Sequence, residues 1–516
     1  MKFVRSCGTL LHPTSFPTPY GIGDLGKSAR QFVDYLEDTR QSIWQVLPLG
    51  PTGYGDSPYA SYSAFAGNHY LISPGLLADK GLVDISDLEK GIQPSLTKVD
   101  YQTAYAFKDE LFRKASETFY SNAGGEEKKA FDTFKKENKK WLDDYVLFMA
   151  CLNHYGKQPW NTWDEKLAKR QKTALTSFKK KLKADVDYHY WLQFEFFNQW
   201  MDLKKYANEK QIRIIGDIPI FVDHNSSDVW ANSKYFEVDE TGNRLLVAGV
   251  PPDYFSATGQ LWGNPLYKWK ELEKDGYGWW VNRFEQMFTL FDAIRVDHFR
   301  GFDAYWEIKA TEETAMNGRW VKGPGKKLFE TIHKKLGELP IIAEDLGVIT
   351  PSVVDLRDSF NFPGMKILQF SFSGGATNSF LPHNYDTSNC VVYSGTHDND
   401  TSLGWYRTAP EAEQDFARRY MRVNGSEISW DLIRLGMLSN ADQAIFPLQD
   451  FLSLDTDHRM NYPGTTENNW QWRYTEDMLF RIDRNYVREL VALTNRDPRV
   501  EQSDSNIVEL EAEEPN

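Results

Sequence analysis

The sequence predicts an α/β fold that is built on a parallel sheet. Short apolar runs typical of buried strands, most of them followed by polar loops with Gly or Asp, lie at residues 43–49, 212–222, 291–296, 340–343, 365–372, 390–394 and 443–448. Helical patterns, such as those at residues 326–337 and 351–360, separate several of these runs. Continuous apolar strands that alternate with helices indicate a sheet covered on both faces, so a doubly wound sheet and a (β/α)8 barrel are the main candidates.

Three carboxylates favour the barrel, because each stands just beyond one of these apolar runs. Asp297 follows the third run, Glu344 follows the fourth and Asp398 comes shortly after the sixth. In a parallel barrel all strands end on one face, so side chains that are far apart in the sequence can meet in one cleft. The sequence therefore predicts a (β/α)8 TIM barrel with these carboxylates in a single cleft.

The interval between the first and second runs differs from the rest of the chain. Phe107, Leu111, Ala115 and Phe119 fall on one helical face, and further helical patterns follow them. We therefore expect a largely helical insertion at about residues 80–210 within a single catalytic domain, residues 1–500. The tail at 501–516 is acidic and poor in aromatics, a composition typical of disorder.

Composition and charge exclude some functions and favour others. The chain has 516 residues, with 59 Lys plus Arg against 73 Asp plus Glu and a net charge of −14. This balance argues against nucleic-acid binding, although it does not exclude a local basic patch. Aromatic content is high, with 17 Trp, 26 Tyr and 32 Phe. Such side chains suit a core, and they also suit platforms for sugar rings.

The cysteines and the apolar runs indicate a cytoplasmic protein. Cys7, Cys151 and Cys390 are far apart and lack C-x-x-C spacing, which argues against a disulfide framework and a thiolate zinc site. The N-terminal apolar run is too short for a signal peptide, and no run approaches the ~18 residues of a membrane span. A G-x-G-x-x-G match at residues 21–26 has no strand before it and no acidic residue at the required distance, so it predicts no dinucleotide site.

The carboxylates and their neighbours suit glycoside chemistry. One carboxylate must be ionised to attack or stabilise the anomeric carbon, and the other must hold a proton for the leaving oxygen. Arg295 lies on the same side of an extended strand as Asp297 and is expected to keep it ionised. Asp345 lies beside Glu344 and is expected to raise its pKa. The alternative is that these carboxylates only cap helices or form structural ion pairs.

The ordered motifs around these residues resemble those of the α-amylase clan. They are Asp217 in Gly-Asp-Ile-Pro-Ile-Phe-Val, Asp297 in Arg-Val-Asp-His, Glu344, and the pair His397-Asp398. More specifically, the sequence resembles the 4-α-glucanotransferases called amylomaltase or disproportionating enzyme, glycoside hydrolase family 77. The resemblance covers nearly the whole chain, and its motifs lie at residues 10–15, 44–50, 53–59 and 251–265.

The resemblance implies a role for each matching residue. Asp297 corresponds to the nucleophile, Glu344 to the acid/base and Asp398 to the carboxylate that stabilises the transition state. Arg295, His397, Asp217 and Tyr59 would surround the donor sugar. The acceptor and outer glucan sites would be lined by Tyr54, Tyr101, Asp253, Gln260, Trp262 and Asn264, several of them in a substrate-covering loop at about residues 247–265.

The resemblance also implies the reaction. The expected enzyme transfers segments of α-1,4-glucan to the 4-hydroxyl of glucose or another glucan by a retaining double displacement, and it needs no metal or organic cofactor. Its partners would be α-1,4-glucans and maltooligosaccharides, with no nucleic acid and no membrane, and it would be a monomer or a homodimer. The alternatives are an α-amylase-type hydrolase, in which water is the acceptor, and a non-catalytic glucan-binding protein.

Overall fold

The computed structural model describes residues 3–93, 97–252 and 256–500. The strands of this part are β1 (Ser6–Leu10), β2 (Ile43–Gln45), β3 (Arg213–Pro219), β4 (Leu246–Val250), β5 (Gln260–Pro265), β6 (Ala293–Asp297), β7 (Ala304–Lys309), β8 (Gly318–Lys322), β9 (Ile341–Ala343), β10 (Gly364–Ile367), β11 (Cys390–Tyr393) and β12 (Gln443–Pro447). The acidic tail at 501–516 lies outside the described residues.

The α-helices cover the outside of the molecule and fill the long connections. They are α1 (Lys27–Asp38), α2 (Pro74–Asp79), α3 (Ile85–Glu89), α4 (Tyr101–Asn122), α5 (Gly125–Glu137), α6 (Lys139–His154), α7 (Glu165–Ala168), α8 (Lys172–Lys181), α9 (Lys183–Glu209), α10 (Ser227–Ala231), α11 (Trp269–Lys274), α12 (Gly278–Leu290), α13 (Lys326–Leu336), α14 (Pro351–Ser359), α15 (Ser402–Thr408), α16 (Glu411–Met421), α17 (Ile428–Leu438), α18 (Leu448–Phe451), α19 (Glu476–Arg481) and α20 (Arg484–Leu493). In the described part, no helix has the length and apolar character that a membrane span requires.

Eight parallel strands form the barrel that the sequence predicts. Their order is β10-β11-β12-β1-β2-β3-β6-β9, so the chain's first strand lies between its last strand and its second. The backbone N–H of Ala343 donates to the carbonyl of Pro363 at 2.9 Å, which brings β9 against the start of β10 and closes the sheet. The (β/α)8 fold is therefore confirmed.

The seven apolar runs of the sequence each overlap a barrel strand. The remaining barrel strand, β1, was not predicted. Its sequence is Ser-Cys-Gly-Thr-Leu, which is too polar to be noticed as an apolar run, although all five residues are buried. Gly8 is required by packing, because a Cβ at this position would lie 2.0 Å from the carbonyl oxygen of Ile43 on β2. The close approach of two backbones therefore explains why a weak strand former occupies a central strand.

The helical insertion ends earlier than residue 210. Seven helices, α3 to α9, occupy the region, but α9 packs on the barrel wall and leads directly into β3. Trp200 on α9 contacts Trp44 of β2 with ring centroids 6.1 Å apart, and its indole N–H donates to the carbonyl of Leu290 at 3.0 Å. Helix α9 is thus the barrel helix between β2 and β3.

A second sheet, formed by β4, β5, β7 and β8, was not predicted. Its strands are antiparallel in the order β5-β4-β7-β8. The two ends of the covering loop expected at about 247–265 are strands, since β4 and β5 occupy them. Because Gly and Pro are frequent in this segment, its sequence is typical of a loop, and pairing with β7 is what holds β4 extended.

Candidate active site

The predicted carboxylates come together at the carboxyl end of the barrel. Asp217 and Asp297 are on β3 and β6, and Glu344 follows β9. In the parallel register Asp217 lies opposite Arg295, and Val296 lies opposite Ala343. Adjacent strands are ~4.8 Å apart, so this register brings the ends of β6 and β9, and with them Asp297 and Glu344, next to each other.

Arg295 links two of these carboxylates. Its Nη1 donates to Asp217 Oδ2 at 2.6 Å and its Nη2 donates to Asp297 Oδ1 at 2.9 Å. The hydroxyl of Tyr59 also donates to Asp217 Oδ2, at 2.8 Å. Because the guanidinium is buried and bound at two of its nitrogens, it fixes the orientation of Asp297 before any substrate is present.

Glu344 is held by backbone N–H groups. The N–H of His298 donates to Oε2 at 2.7 Å and that of Leu346 donates to Oε1 at 3.0 Å. His298 adopts the left-handed conformation, with φ 50° and ψ 49°, directly after the strand that ends at Asp297. The backbone of His298 is therefore strained in the conformation in which its N–H group donates to the Glu344 carboxylate.

Asp398 is fixed by residues to which the sequence analysis gave no role. The amide of Asn461 donates to Asp398 Oδ1 at 2.7 Å, and Nη2 of Arg459 donates to the Asp398 carbonyl at 2.9 Å. His397 Nε2 lies 3.4 Å from the same Oδ1. Asn461 and Asp398 are 63 positions apart, and no sequence pattern indicated this contact.

Aromatic rings form one wall of the cleft. The Tyr59 and His397 rings are stacked, with centroids 5.1 Å apart and an interplanar angle of 17°. Trp470, which was also missed, contacts both rings at 5.8 and 6.0 Å. This wall holds Tyr59 against Asp217 and His397 against Asp398.

Comparisons with known proteins identify the family. The 4-alpha-glucanotransferase model of glycoside hydrolase family 77 matches residues 11–479. The chain belongs to this family. A 4-alpha-glucanotransferase of Thermus thermophilus is 52% identical over 96% of this chain and its own full length, and that of Synechocystis is 50% identical over 92% of this chain and 95% of its own. The amylomaltase of Streptococcus agalactiae in complex with acarbose has a TM-score of 0.92 at 38% identity and covers 95% of this chain and 99% of its own.

These relatives confirm the enzyme class that the resemblance implied. The amylomaltase of Corynebacterium glutamicum, at 17% identity and a TM-score of 0.77, supports the fold alone. The full-length matches are to 4-alpha-glucanotransferases, so a non-catalytic binding protein and an α-amylase-type hydrolase are not favoured.

The three carboxyl groups of the cleft titrate differently. Burial raises the pKa of Glu344 to about 7, and the Asp297 charge adds to this rise while Arg295 opposes it. Burial also raises the pKa of Asp297 to about 6, against the Arg295 charge. Burial alone would raise the pKa of Asp398, but the His397 charge and the hydrogen bonds from His397 and Asn461 hold this pKa below its usual range. At neutral pH Glu344 is thus the carboxyl group that retains a proton most readily, while Asp297 and Asp398 are mainly ionised.

One expectation about these pKa values was wrong. Asp345 does not face Glu344, because its carboxylate accepts hydrogen bonds from the Arg357 guanidinium and from the Met365 N–H. The carboxylate that raises the pKa of Glu344 is Asp297.

The pH dependence of turnover should be a narrow bell. If Asp297 is the nucleophile and Glu344 the acid, protonation of Asp297 stops the attack as pH falls through about 6. As pH rises through about 7, Glu344 then loses the proton that the leaving oxygen needs. We expect maximal kcat/KM for maltotriose between these limits, measured as glucose release across the pH range. A rate that stays constant to strongly alkaline pH would contradict the role of Glu344 as the acid.

The expected acceptor residues lie outside the carboxylate cluster. The Trp262 ring contacts the His298 ring edge-on at 4.8 Å, and its indole N–H donates to Gln260 Oε1 at 3.0 Å. The Asn264 amide donates to the Val222 carbonyl at 3.0 Å, which ties β5 to the segment after β3. Gln260 and Asn264 therefore bind protein groups in this structure. Asp253 lies outside the described residues.

The two outer tyrosines lie further along the rim. Tyr54 is 79% exposed on a short turn that begins there, and Asp56 of this turn accepts a hydrogen bond from Tyr105 on α4. Tyr101, at the start of α4, donates to the Trp470 carbonyl at 2.6 Å. The structure thus connects both tyrosines to α4, and Tyr101 also reaches the aromatic wall of the cleft through Trp470.

Proposed function

We propose that the enzyme transfers α-1,4-glucan segments to the 4-hydroxyl of glucose or another glucan by a retaining double displacement. The observation that carries this proposal is the pair Asp297 and Glu344 at neighbouring strand ends, with the higher pKa on Glu344. The acarbose complex of the Streptococcus agalactiae amylomaltase supports α-glucans and maltooligosaccharides as substrates.

In the first displacement, an Asp297 oxygen forms a bond to the anomeric carbon as the glycosidic C–O bond breaks. Glu344 gives its proton to the departing glucan oxygen and becomes a carboxylate, which the His298 and Leu346 N–H groups stabilise. Asp398, held ionised, faces the positive charge that develops on the sugar ring. No metal or organic cofactor takes part in these steps.

In the second displacement, the 4-hydroxyl of an acceptor glucan attacks the anomeric carbon. Glu344 removes the hydroxyl proton, the bond to Asp297 breaks, and both carboxyl groups return to their starting states. Two inversions at one carbon give net retention of the α configuration.

The choice of a sugar rather than water depends on a covered, prebound acceptor. Trp262 is partly exposed on β5 and contacts His298, whose N–H holds Glu344. A sugar fixed here has an effective molarity that diffusing water cannot match, and the cover also reduces access of water.

Trp262→Ala should lower the ratio of transfer to hydrolysis about fivefold, while total donor cleavage falls less. The measurement is simultaneous quantification of elongated products and of new reducing ends with maltotriose as the donor. Equal losses in both quantities would mean that Trp262 does not select the acceptor.

Products from maltotriose test the proposed function directly. We expect a ladder of longer maltooligosaccharides together with glucose. Shorter sugars alone would mean that water is the acceptor, and they would overturn the proposal in favour of hydrolysis.

We also propose the cytoplasm as the compartment and a monomer or homodimer as the assembly. Support for a reducing compartment comes from Cys7, Cys151 and Cys390, which are buried and free. Light scattering of the purified protein distinguishes the two assemblies.

A further inference from the structure

The second sheet contacts the loop after Asp297 at both of its edges. At the β5 edge, Trp262 meets His298. At the β8 edge, the Trp320 ring lies against Arg300, whose guanidinium carbon is 3.9 Å from the ring centroid. The first contact belongs to the acceptor region described above, whereas the second has no role in it.

Arg300 connects Trp320 to the segment that follows Glu344. The guanidinium is almost fully buried, and its Nη1 donates to the carbonyl of Val348. Val348 is four positions after Glu344, a distance of at most ~14 Å along the chain. A cation stacked on one face of an indole also fixes the position of the ring. Trp320 is therefore held near the catalytic carboxyl groups by a rigid link.

The Trp320 ring remains partly exposed beside its two protein contacts. Besides Arg300, the ring is contacted by Trp306, directly opposite on β7, with centroids 5.3 Å apart and an interplanar angle of 67°. The Trp320 side chain is 40% exposed and that of Val348 is 64% exposed. Lys322 is exposed on the same side of β8, two residues further along. We call Trp320, Lys322 and Val348 the β8 platform.

We propose that the β8 platform binds a glucose ring of the acceptor chain, beyond the sugar that contacts Trp262. This inference rests on the proposed transfer reaction. The chemistry is that of sugar recognition, since an indole face can stack on the apolar face of a glucose ring and an ammonium can donate to its hydroxyls. The platform is adjacent to the loop of the acid/base residue, so it favours long acceptors and cannot be reached by a single glucose.

The test compares two acceptors in Trp320→Ala. With a fixed maltotriose donor, the KM for end-labelled maltohexaose should rise about fivefold, which corresponds to the loss of one aromatic contact, while the KM for labelled glucose stays within about twofold. Trp320→Phe, which keeps an aromatic face, should recover most of the maltohexaose affinity. An equal rise for both acceptors, or no rise for either, would overturn the proposal.

A matched control is Phe480→Ala, which removes another exposed aromatic side chain. Phe480 is on α19 beside Arg484, and Arg484 pairs with Asp38 at the end of α1, away from the catalytic face. It should leave both KM values within about twofold. Failure of the proposed function gives a different result, because the wild-type enzyme would then elongate neither labelled acceptor.

Discussion

Asp297→Asn is expected to reduce transfer by at least ~10⁴-fold, because an amide cannot form the glycosyl ester that the first displacement requires. The fold should be retained, since the Asn carbonyl can accept the hydrogen bond that Arg295 Nη2 donates to Asp297. Turnover of maltotriose gives the rate. Intact-protein mass spectrometry after brief exposure to α-maltotriosyl fluoride should detect a glycosyl adduct on the wild-type enzyme and none on the variant.

Asp292→Asn is the matched control, since Asp292 immediately precedes the same strand at its opposite end. Its carboxylate accepts hydrogen bonds from the Ile214 N–H and from Asn208, both at 2.8 Å. Residues at the amino end of a barrel strand contribute to stability and not to the reaction. We expect a lower unfolding midpoint with turnover within about twofold of wild type. A wild-type rate in Asp297→Asn would exclude Asp297 as the nucleophile.

The positions of Asp297, Glu344 and Asp398 could be predicted because the strands of a parallel barrel all end on one face. Asp297 ends β6, Glu344 follows β9 and Asp398 comes shortly after β11. The strands themselves were visible because their residues are buried on both faces and are therefore apolar throughout. The residues alone thus gave the fold, while the resemblance supplied the roles.

Tyr59 and Asn461 lie on no barrel strand, so the pattern of apolar strands in the sequence does not predict the position of either residue. Tyr59 donates to Asp217 from 158 positions away, and Asn461 donates to Asp398 from 63 positions away. Such contacts depend on how long connections fold back over the rim, which has no periodic signal. The resemblance indicated Tyr59, but nothing in the sequence indicated a partner for Asn461.

The direction of each side chain decides which carboxylate acts on Glu344. Sequence adjacency suggested that Asp345 acts on Glu344, yet consecutive residues after a strand point to different sides. Asp345 instead pairs with Arg357 on α14 and accepts a hydrogen bond from the Met365 N–H at the start of β10. The second sheet shows a related limit, because β7 and β8 are short, partly exposed strands whose pairing is antiparallel and lies outside the barrel.

Glu344→Gln is expected to lower maltotriose transfer by at least ~10²-fold, because the amide fills nearly the same volume but has no acidic proton to give. Folding should be retained, since the Gln carbonyl can still accept a hydrogen bond from the His298 or Leu346 N–H. The basic limit of the pH profile, near 7 in the wild-type enzyme, should also disappear. Initial rates across pH measure both effects.

A donor that needs no acid separates the two roles of Glu344. Fluoride leaves α-maltotriosyl fluoride without protonation, so Glu344→Gln should still form the bond to Asp297. Transfer to the 4-hydroxyl then lacks its base, and the glycosyl adduct should accumulate.

Asp345→Asn is the control, because it weakens the buried pair with Arg357. It should lower the unfolding midpoint without changing the limits of the pH profile. If the fluoride donor shows no faster adduct formation than maltotriose in Glu344→Gln, proton donation is not what this residue supplies. Near-normal turnover of maltotriose by the same variant would remove Glu344 from the mechanism, and a pH profile altered equally by Asp345→Asn would move the acid role to the neighbouring carboxylate.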